Sequence, residues 1–197
     1  MNEFWNNRYS TGEYAYETLP GEFLKSEVEK LNPDKILFPA EGEGRNAAYA
    51  ACLDWQVFAF DISIEAKLKA DKLAGQNKVN IHYTLSSVEE IIYPDAFFDC
   101  FFFIFEHFPP QICNRHHRKV LRFLRPGGTI ILEGLSKKQI IMDSCGPKDP
   151  SRLFSRKELK NDFDSLSACL ISETNYILDE GKYHQGPAAV IRLTEKK

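Results

Sequence analysis

Two glycines and one aspartate have types and spacing suited to binding an adenosine-containing cofactor. Gly42 and Gly44 follow the short apolar stretch Ile36 to Phe38, and Asp61 ends a second apolar stretch. Glycine lets the main chain approach a ligand closely because it has no Cβ. In a βαβ nucleotide-binding fold, an acid about 20 residues after the first glycine accepts hydrogen bonds from ribose hydroxyls. The pattern therefore predicts strand, glycine turn, helix, strand and ribose-binding acid.

The glycine turn alone leaves two cofactors open. Together with Ala47, the two glycines formally satisfy the signature of NAD-binding enzymes, whose helix N-terminus receives a pyrophosphate. The same turn can instead face the methionine part of S-adenosylmethionine. Other parts of the sequence have to separate these two chemistries.

Composition narrows the class of protein. The 197 residues, 43% hydrophobic and 13% aromatic, suit one sizeable core, which predicts a single domain over residues 1–197. The net charge is −3, and the basic and acidic residues are interspersed along the chain, so a nucleic-acid partner is not expected. No signal peptide or membrane span is recognisable, and Phe101 to Phe105 is read as a buried strand. The five scattered cysteines favour a reduced, cytoplasmic protein without a disulfide framework or zinc site.

Apolar periodicity predicts alternating helices and strands. The expected strands are 36–38, 57–61, 79–85, 96–105 and 129–132, and the expected helices are 22–31, 45–53, 63–74, 110–124 and 155–163. Residues 168–178 and 188–193 look like an antiparallel pair. This order predicts an α/β fold: a doubly wound, mostly parallel seven-stranded, Rossmann-like sheet with a C-terminal antiparallel β-hairpin.

Several short tracts carry a family resemblance that spans nearly the whole chain. They are Trp5 to Tyr9 with Tyr16 to Thr18 and Pro20, Glu43 to Asn46, Asp61 to Ser63, Phe98-Asp99, Phe105 to Pro110, Arg125 to Gly128, Gly146 to Pro150 and Glu180 to Ala189. In order and spacing the chain resembles class I S-adenosylmethionine-dependent methyltransferases, and among them the tellurite-resistance and thiopurine methyltransferase-like group. The resemblance implies S-adenosylmethionine as cofactor.

The resemblance also implies which residues bind the cofactor. They are Pro39, Ala40, Glu41, Gly42, Gly44, Arg45, Asn46, Asp61, Ile62, Ser86, Ser87, Val88 and Phe105. The chain departs from the family pattern at three places. Phe38 and Ala40 replace an acid and a first glycine, a serine (Ser86 or Ser87) replaces an acid near the adenine, and Gln185 replaces an arginine.

Methyl transfer from a sulfonium mainly requires alignment of the acceptor and exclusion of water, with a general base only for a protonated nucleophile. His184 belongs to one of the tracts of the resemblance, and we hypothesise that it positions or deprotonates the acceptor with help from His107 and Arg8, because the hairpin loop and the end of the fourth strand can both reach the carboxyl edge of the sheet. His107 is read equally well as a loop histidine bonded to the backbone, and Arg8 as part of ordinary aromatic packing with Trp5 and Tyr9. No metal is expected. His116 and His117 are read as solvated residues of a basic helix because no cysteine or carboxylate completes a ligand set.

The leading function is methyl transfer from S-adenosylmethionine to a small-molecule acceptor, a thiol or a soft oxyanion. The alternatives are an NAD-dependent oxidoreductase, which lacks a Tyr-x-x-x-Lys helix here, and an S-adenosylmethionine-binding protein without turnover. Base methylation is disfavoured because residues 106–110 lack the Asn/Asp-Pro-Pro-aromatic order of nucleic-acid methyltransferases. The expected partner is thus a small molecule, not a nucleic acid or a membrane.

Overall fold

The computed structural model describes residues 2–142, 144–166 and 170–197. The helices are α1 (Asn2–Tyr9), α2 (Glu22–Val28), α3 (Arg45–Cys52), α4 (Ile64–Asn77), α5 (Pro110–Phe123) and α6 (Arg156–Asp162), with 3₁₀ turns at Lys137–Ile141 and Pro150–Arg152. The strands are β1 (Lys35–Phe38), β2 (Gln56–Asp61), β3 (Ile81–Leu85), β4 (Phe98–Ile104), β5 (Leu124–Leu135), β6 (Leu170–Asp179) and β7 (Gln185–Lys196).

The seven strands form one mixed sheet in the order β3-β2-β1-β4-β5-β7-β6. The helices that follow β1, β2 and β4 alternate with the strands, and the last two strands are an antiparallel hairpin. The predicted fold class is therefore confirmed.

The chain divides into two compact units, which we describe separately. The N-terminal unit runs to Ile92 and includes Glu180–Lys182, and the C-terminal unit contains Tyr93–Asp179 and Tyr183–Lys197. The single domain expected over residues 1–197 stays a prediction.

In the N-terminal unit, β2 lies between β1 and β3, and both pairings are parallel. Helix α4 begins at Ser63, whose Oγ accepts a hydrogen bond from the N–H of Ala66, as the sequence predicted for this position. Parallel strands end at the same edge of a sheet. The glycine turn after β1 and Asp61 at the end of β2 are therefore brought to one edge.

In the C-terminal unit, β5 pairs with β4 in parallel and with β7 in antiparallel. Phe101, Phe102 and Phe103 are at most 1% exposed, which agrees with the reading of this run as a buried strand. Helix α6 starts with a reciprocal capping box between Ser155 and Glu158.

Three details differ from the sequence expectations. Helix α1 was not predicted. Strand β5 begins at Leu124 and accommodates residues 125–128 in a register shift opposite Phe98 and Cys100, whereas the sequence placed a turn there. The expected start of the hairpin at residue 168 lies outside the described residues, and β6 is described from Leu170. Among the described residues, no helix is both long and apolar enough to cross a membrane.

Candidate functional site: a buried acidic glycine turn

The glycine turn between β1 and α3 is shaped by packing. Gly42 has φ +67° and Gly44 has φ +86°, a region that side chains other than glycine rarely adopt. A Cβ on Gly44 would lie 2.6 Å from the Cβ of Ala70 in α4, and a Cβ on Gly42 would lie 2.9 Å from Tyr9 Oη. The sequence predicted that a ligand approaches the main chain closely at both glycines. The structure shows that protein atoms fill the space where the side chains would be.

Asp61 joins the end of β2 to the glycine turn. Its Oδ2 accepts a hydrogen bond from the N–H of Gly42 (3.1 Å), and its Oδ1 accepts one from the N–H of Ser63 (2.8 Å). The residue is 6% exposed. Burial raises the pKa of the Asp61 carboxyl to about 6, although the backbone hydrogen bonds oppose this shift. Asp61 is thus a carboxylate whose charge is only partly compensated by the protein.

Glu41 caps helix α3. Its Oε1 accepts hydrogen bonds from the N–H groups of Asn46 (3.0 Å) and Ala47 (2.8 Å), which belong to the first turn of the helix. Burial raises the pKa of Glu41 to about 7, and the charge of Asp61 adds to the shift. The N–H groups at which a pyrophosphate would bind in a dinucleotide-binding turn are therefore bonded to a carboxylate of the same chain.

Glu43 and Arg45, which follow Glu41, bind the main chain of Ala15 and Tyr16. Glu43 Oε2 accepts hydrogen bonds from the N–H groups of Ala15 (2.8 Å) and Tyr16 (3.3 Å), and its Oε1 pairs with Lys69 Nζ at 2.7 Å. Arg45 donates to the carbonyl of Tyr16 and forms a 2.6 Å ion pair with Glu180.

Asn46 acts in the same way, because its Oδ1 accepts a hydrogen bond from the N–H of Gly21 at 3.2 Å. The side chains of two predicted cofactor residues, Arg45 and Asn46, thus bind the protein's own main chain. Their cofactor contact stays a prediction.

The aromatic residues of α1 lie over this turn. The Tyr9 ring stacks on Trp5 with centroids 5.6 Å apart, and its hydroxyl group reaches Gly42. Burial, reinforced by the Asp61 charge, raises the pKa of Tyr9, so its hydroxyl stays protonated. Arg8 donates to Tyr16 Oη at 3.0 Å and lies 5.0 Å from the Phe4 ring centroid. Sequence reasoning had placed Tyr9 only in a general aromatic set.

Tyr83 of β3 was missed altogether. Its hydroxyl donates to the carbonyl of Gly42 at 2.6 Å, so two tyrosines bracket the turn. An aromatic residue in a strand is ordinarily read as core, and the sequence alone carries no signal that its hydroxyl faces the turn.

The remaining predicted cofactor residues of this unit follow β1, β2 and β3. The N–H of Ser86 donates to the carbonyl of Asp61 at 3.0 Å, and Ser87 Oγ accepts from the N–H of Glu90. Pro39 and Val88 are buried, and Ala40, Ile62 and both serines are partly exposed. Ala40 has φ +42°, a strained value for a residue with a side chain. The structure thus brings Gly42, Asp61 and Ser86 into direct contact.

The C-terminal unit holds the other predicted residues. The rings of Phe105 and His184 meet edge to face with centroids 4.4 Å apart, and His184 is 8% exposed. Phe105 has φ +53°, an uncommon value at the end of a strand. Strained backbone of this kind is concentrated at functional sites.

His107 is bonded through both ring nitrogens. Nε2 accepts from the N–H of Leu135 at 3.1 Å, so Nδ1 carries the proton and donates to the carbonyl of Arg152 at 2.9 Å. Burial lowers the pKa of His107 to about 4. This arrangement matches the alternative reading of a loop histidine bonded to the backbone, and the catalytic role stays a prediction that the geometry does not favour.

The interpretation of His116 and His117 as solvated side chains is wrong. They are 2% and 1% exposed. His116 Nε2 lies 3.2 Å from Glu106 Oε2, and His117 Nδ1 lies 2.7 Å from Asp162 Oδ2. Burial lowers the pKa of His116. Carboxylates that are distant in sequence therefore stand beside both histidines, contrary to the expectation.

The comparisons with known proteins agree with this geometry. Residues 36–128 match the family described as a methyltransferase domain. That segment contains the glycine turn and Asp61. No curated protein matches the chain.

Solved structures show the same fold at low identity. One, described by the conversion of a disulfide bond into a thioacetal group during echinomycin biosynthesis, is 15% identical with a TM-score of 0.78 and covers 100% of this chain and 92% of that chain. An S-adenosylmethionine-dependent methyltransferase from Methanosarcina mazei is 16% identical, with a TM-score of 0.69 and coverages of 91% and 98%. TehB from Haemophilus influenzae is 16% identical, with a TM-score of 0.63 and coverages of 100% and 66%.

Proposed function

We propose that the protein binds S-adenosylmethionine at the glycine turn and transfers its methyl group to a small-molecule acceptor. The observation that carries the proposal is the pair of carboxylates at this turn, the buried Asp61 and the partly exposed Glu41, whose pKa values are raised to about 6 and about 7. Their ionised forms lack a full counter-charge. A cationic ligand would compensate them, whereas a pyrophosphate would meet like charge.

The residues present fit this cofactor. Asp61 would accept hydrogen bonds from the ribose hydroxyls, since its two oxygens accept hydrogen bonds from the N–H groups of Gly42, Ser63 and Ile62 and offer about four lone-pair sites in all. Gly42 presents its main chain between Tyr9 and Tyr83. Ser86, held on the Asp61 carbonyl, offers a hydroxyl for adenine recognition.

S-Adenosylmethionine supplies an electrophilic methyl group on a sulfonium. The protein's task is to orient the acceptor and exclude water. We assign the acceptor contact to His184, with Arg8 and His107 as weaker candidates, and the cofactor contact in the C-terminal unit to Phe105. A thiol or soft oxyanion remains the proposed acceptor class. Family membership in the tellurite-resistance or thiopurine group and a cytoplasmic location belong to the same proposal.

The NAD-dependent alternative is weakened by the Glu41 cap, because a pyrophosphate would have to displace a carboxylate from the amides of Asn46 and Ala47. Side-by-side calorimetric titrations with S-adenosylmethionine, S-adenosylhomocysteine and NADH test this choice. We expect both sulfur ligands to bind and NADH not to bind. Preferential binding of NADH would reject the proposal.

Turnover is tested by an acceptor screen that detects formation of S-adenosylhomocysteine. Binding without product for any thiol, oxyanion or amine acceptor would favour the S-adenosylmethionine-binding protein without turnover. Once an acceptor is found, His184→Ala should lower kcat much more than it weakens cofactor binding, because the lost contact belongs to the acceptor and transition state. Gln185→Ala, a change at the next residue, is the matched control. Equal effects of the two variants on kcat would remove His184 from the site.

A further inference from the structure

A cysteine, a histidine and an aspartate, none of them assigned above to the cofactor or acceptor, meet in the C-terminal unit. Cys113 and His117 are four residues apart on α5, so their side chains share one face of the helix. Asp162 is the last residue of α6. The three residues are 8%, 1% and 8% exposed. Two helices thus enclose three side chains that commonly bind transition metals.

The distances suit a small metal ion after minor adjustment. Cys113 Sγ lies 3.9 Å from His117 Nδ1 and 3.7 Å from Nε2, and the ligand atoms of all three residues lie within 4.8 Å of one another. Ligands of tetrahedral zinc, with Zn–S near 2.3 Å and Zn–N near 2.0 Å, are separated by about 3.4–3.6 Å. The 2.7 Å between Nδ1 and Asp162 Oδ2 would have to open by less than about 1 Å.

We propose that Cys113 Sγ, His117 Nδ1 and Asp162 Oδ2 form a binding site for a divalent transition-metal ion of the Zn²⁺ type. A thiolate and a carboxylate together neutralise the two charges of the ion, which suits a buried site. Thiolate with imidazole is a donor set that Zn²⁺ prefers over Mg²⁺ or Ca²⁺. Among the described residues, the cluster contains three such ligands, which leaves a fourth position for water.

Neighbouring residues hold two of the ligands in place. Asn114 Nδ2 donates to Asp162 Oδ1, which fixes the carboxylate and leaves Oδ2 toward the histidine. The His117 ring stacks on Phe163 with centroids 4.9 Å apart, and Phe103 meets it edge on at 5.3 Å. Such outer contacts orient metal ligands in proteins.

Metal binding competes with a proton. In the metal-free form, burial raises the pKa of the Cys113 thiol, and the Asp162 charge adds to this shift. Binding would break the S–H bond, form a metal–sulfur bond and release the proton to solvent. The imidazole would stay neutral, with its own proton on Nε2 rather than Nδ1. Affinity should therefore increase with pH.

The test uses the full chain, freed of metal with a chelator and then titrated with Co²⁺ and, in competition with a chromophoric chelator, with Zn²⁺. We expect one equivalent of Co²⁺ to produce a thiolate-to-cobalt charge-transfer band. Cys113→Ser should abolish the band, and both Cys113→Ser and Asp162→Asn should weaken Zn²⁺ binding at least about tenfold. Cys52→Ser, at an exposed cysteine, is the matched control and should leave binding unchanged.

Circular dichroism checks that each variant is folded, and Asp162→Asn retains an oxygen for the bond from Asn114 if Cys113→Ser does not fold. Zn²⁺ should also raise the Tm of the wild type but not that of Asp162→Asn. The proposal is overturned if the wild type gives no thiolate band, if both variants bind Zn²⁺ as the wild type does, or if Cys52→Ser alone removes binding. The three side chains would then be a hydrogen-bonded anchor between α5 and α6.

Discussion

Asp61 in the N-terminal unit and Asp162 in the C-terminal unit are both buried carboxylates, yet their surroundings shift their acidity in opposite directions. Among the described residues, the hydrogen bonds that Asp61 accepts come from backbone N–H groups, and burial raises its pKa to about 6. Burial also acts on Asp162, but hydrogen bonds from His117 and Asn114 hold its pKa below the usual range. The side chains of His117 and Asn114 stabilise the charge of Asp162, whereas the proposed cationic cofactor would stabilise the charge of Asp61 when it binds. We therefore propose a cofactor-binding role for Asp61, and we infer that Asp162 contributes to stability in the metal-free protein.

The contrast between Asp61 and Asp162 requires that packing fixes the glycine turn before a ligand binds. Gly44→Val tests this, because its Cβ would meet Ala70 and its backbone φ is +86°. Overpacking and left-handed strain together should lower the free energy of unfolding by about 4 kcal/mol. Urea denaturation of the ligand-free protein measures it. Gly75→Ala, where a Cβ meets nothing within 4 Å, is the control. A variant as stable as the wild type would show that the turn rearranges freely.

Asp162→Ala removes two charge-assisted hydrogen bonds and leaves His117 buried. We expect a loss of roughly 3 kcal/mol in the free energy of unfolding without added metal. Asp164→Ala, two residues later on an exposed side chain, should cost less than about 0.5 kcal/mol. If the two substitutions lower the free energy of unfolding equally, Asp162 contributes no more to stability than a surface charge, and the contrast between Asp61 and Asp162 is wrong.

Asp61→Ala should separate binding from stability. Affinity for S-adenosylmethionine should fall by roughly 10- to 150-fold, the value of hydrogen bonds to a charged group. The free energy of unfolding at pH 8 should stay within about 1 kcal/mol of wild type, because relief of a buried charge offsets the lost backbone hydrogen bonds. Calorimetry and urea denaturation measure the two effects, with Asp71→Ala on an exposed side chain as control. A stability loss as large as that of Asp162→Ala, with unchanged affinity, would reverse the two assignments.

Per pH unit, the pH dependence of the ligand-free protein gives the smallest expected effect. Glu41 and Asp61 have folded-state pKa values raised above their unfolded values of 4.5 and 3.8. At these two sites the folded state binds more protons than the unfolded state, so their contribution to stability is largest below about pH 4 and falls as pH rises toward 7, by on the order of 1 kcal/mol per pH unit. Affinity for a cationic cofactor should increase over the same range.

Glu41→Gln should reduce the change of the free energy of unfolding with pH that we attribute to Glu41 and Asp61, as measured by urea denaturation at several pH values. The Glu158→Gln variant is a useful contrast, because the pKa of Glu158 is lowered. A pH dependence that Glu41→Gln leaves unchanged would mean that the Glu41 charge is compensated within the protein.

The sequence predicted the strands and the glycine turn because their signals are local. Apolar runs define β1, β2 and β4, and the glycine positions are needed for positive φ. Helix α1 was missed because Asn2–Tyr9 has a polar composition, and its position depends on Tyr9 reaching Gly42. Helix propensity is a weak predictor for a short segment that tertiary packing holds in place.

The two histidines of α5 show where a local reading fails. Neighbouring basic residues suggested an exposed face, but Cys113, His117, Val120 and Leu121 recur at helical spacing, and this periodicity was a signal for burial. Their carboxylate partners could not be found from sequence because the fold brings them from other elements. Glu41 is similar, since its role as a cap follows from the path of the turn.

The ion pair between Arg45 and Glu180 has a consequence for the order in which the chain can fold. The two residues are 135 positions apart, and both belong to the N-terminal unit. During synthesis at 5–20 residues per second, Arg45 emerges about 7–27 s before its partner exists. Until then the Arg45 guanidinium, which is buried in the folded protein, has to stay in contact with water. The last step of folding of the N-terminal unit therefore has to wait until the ribosome has synthesised Glu180.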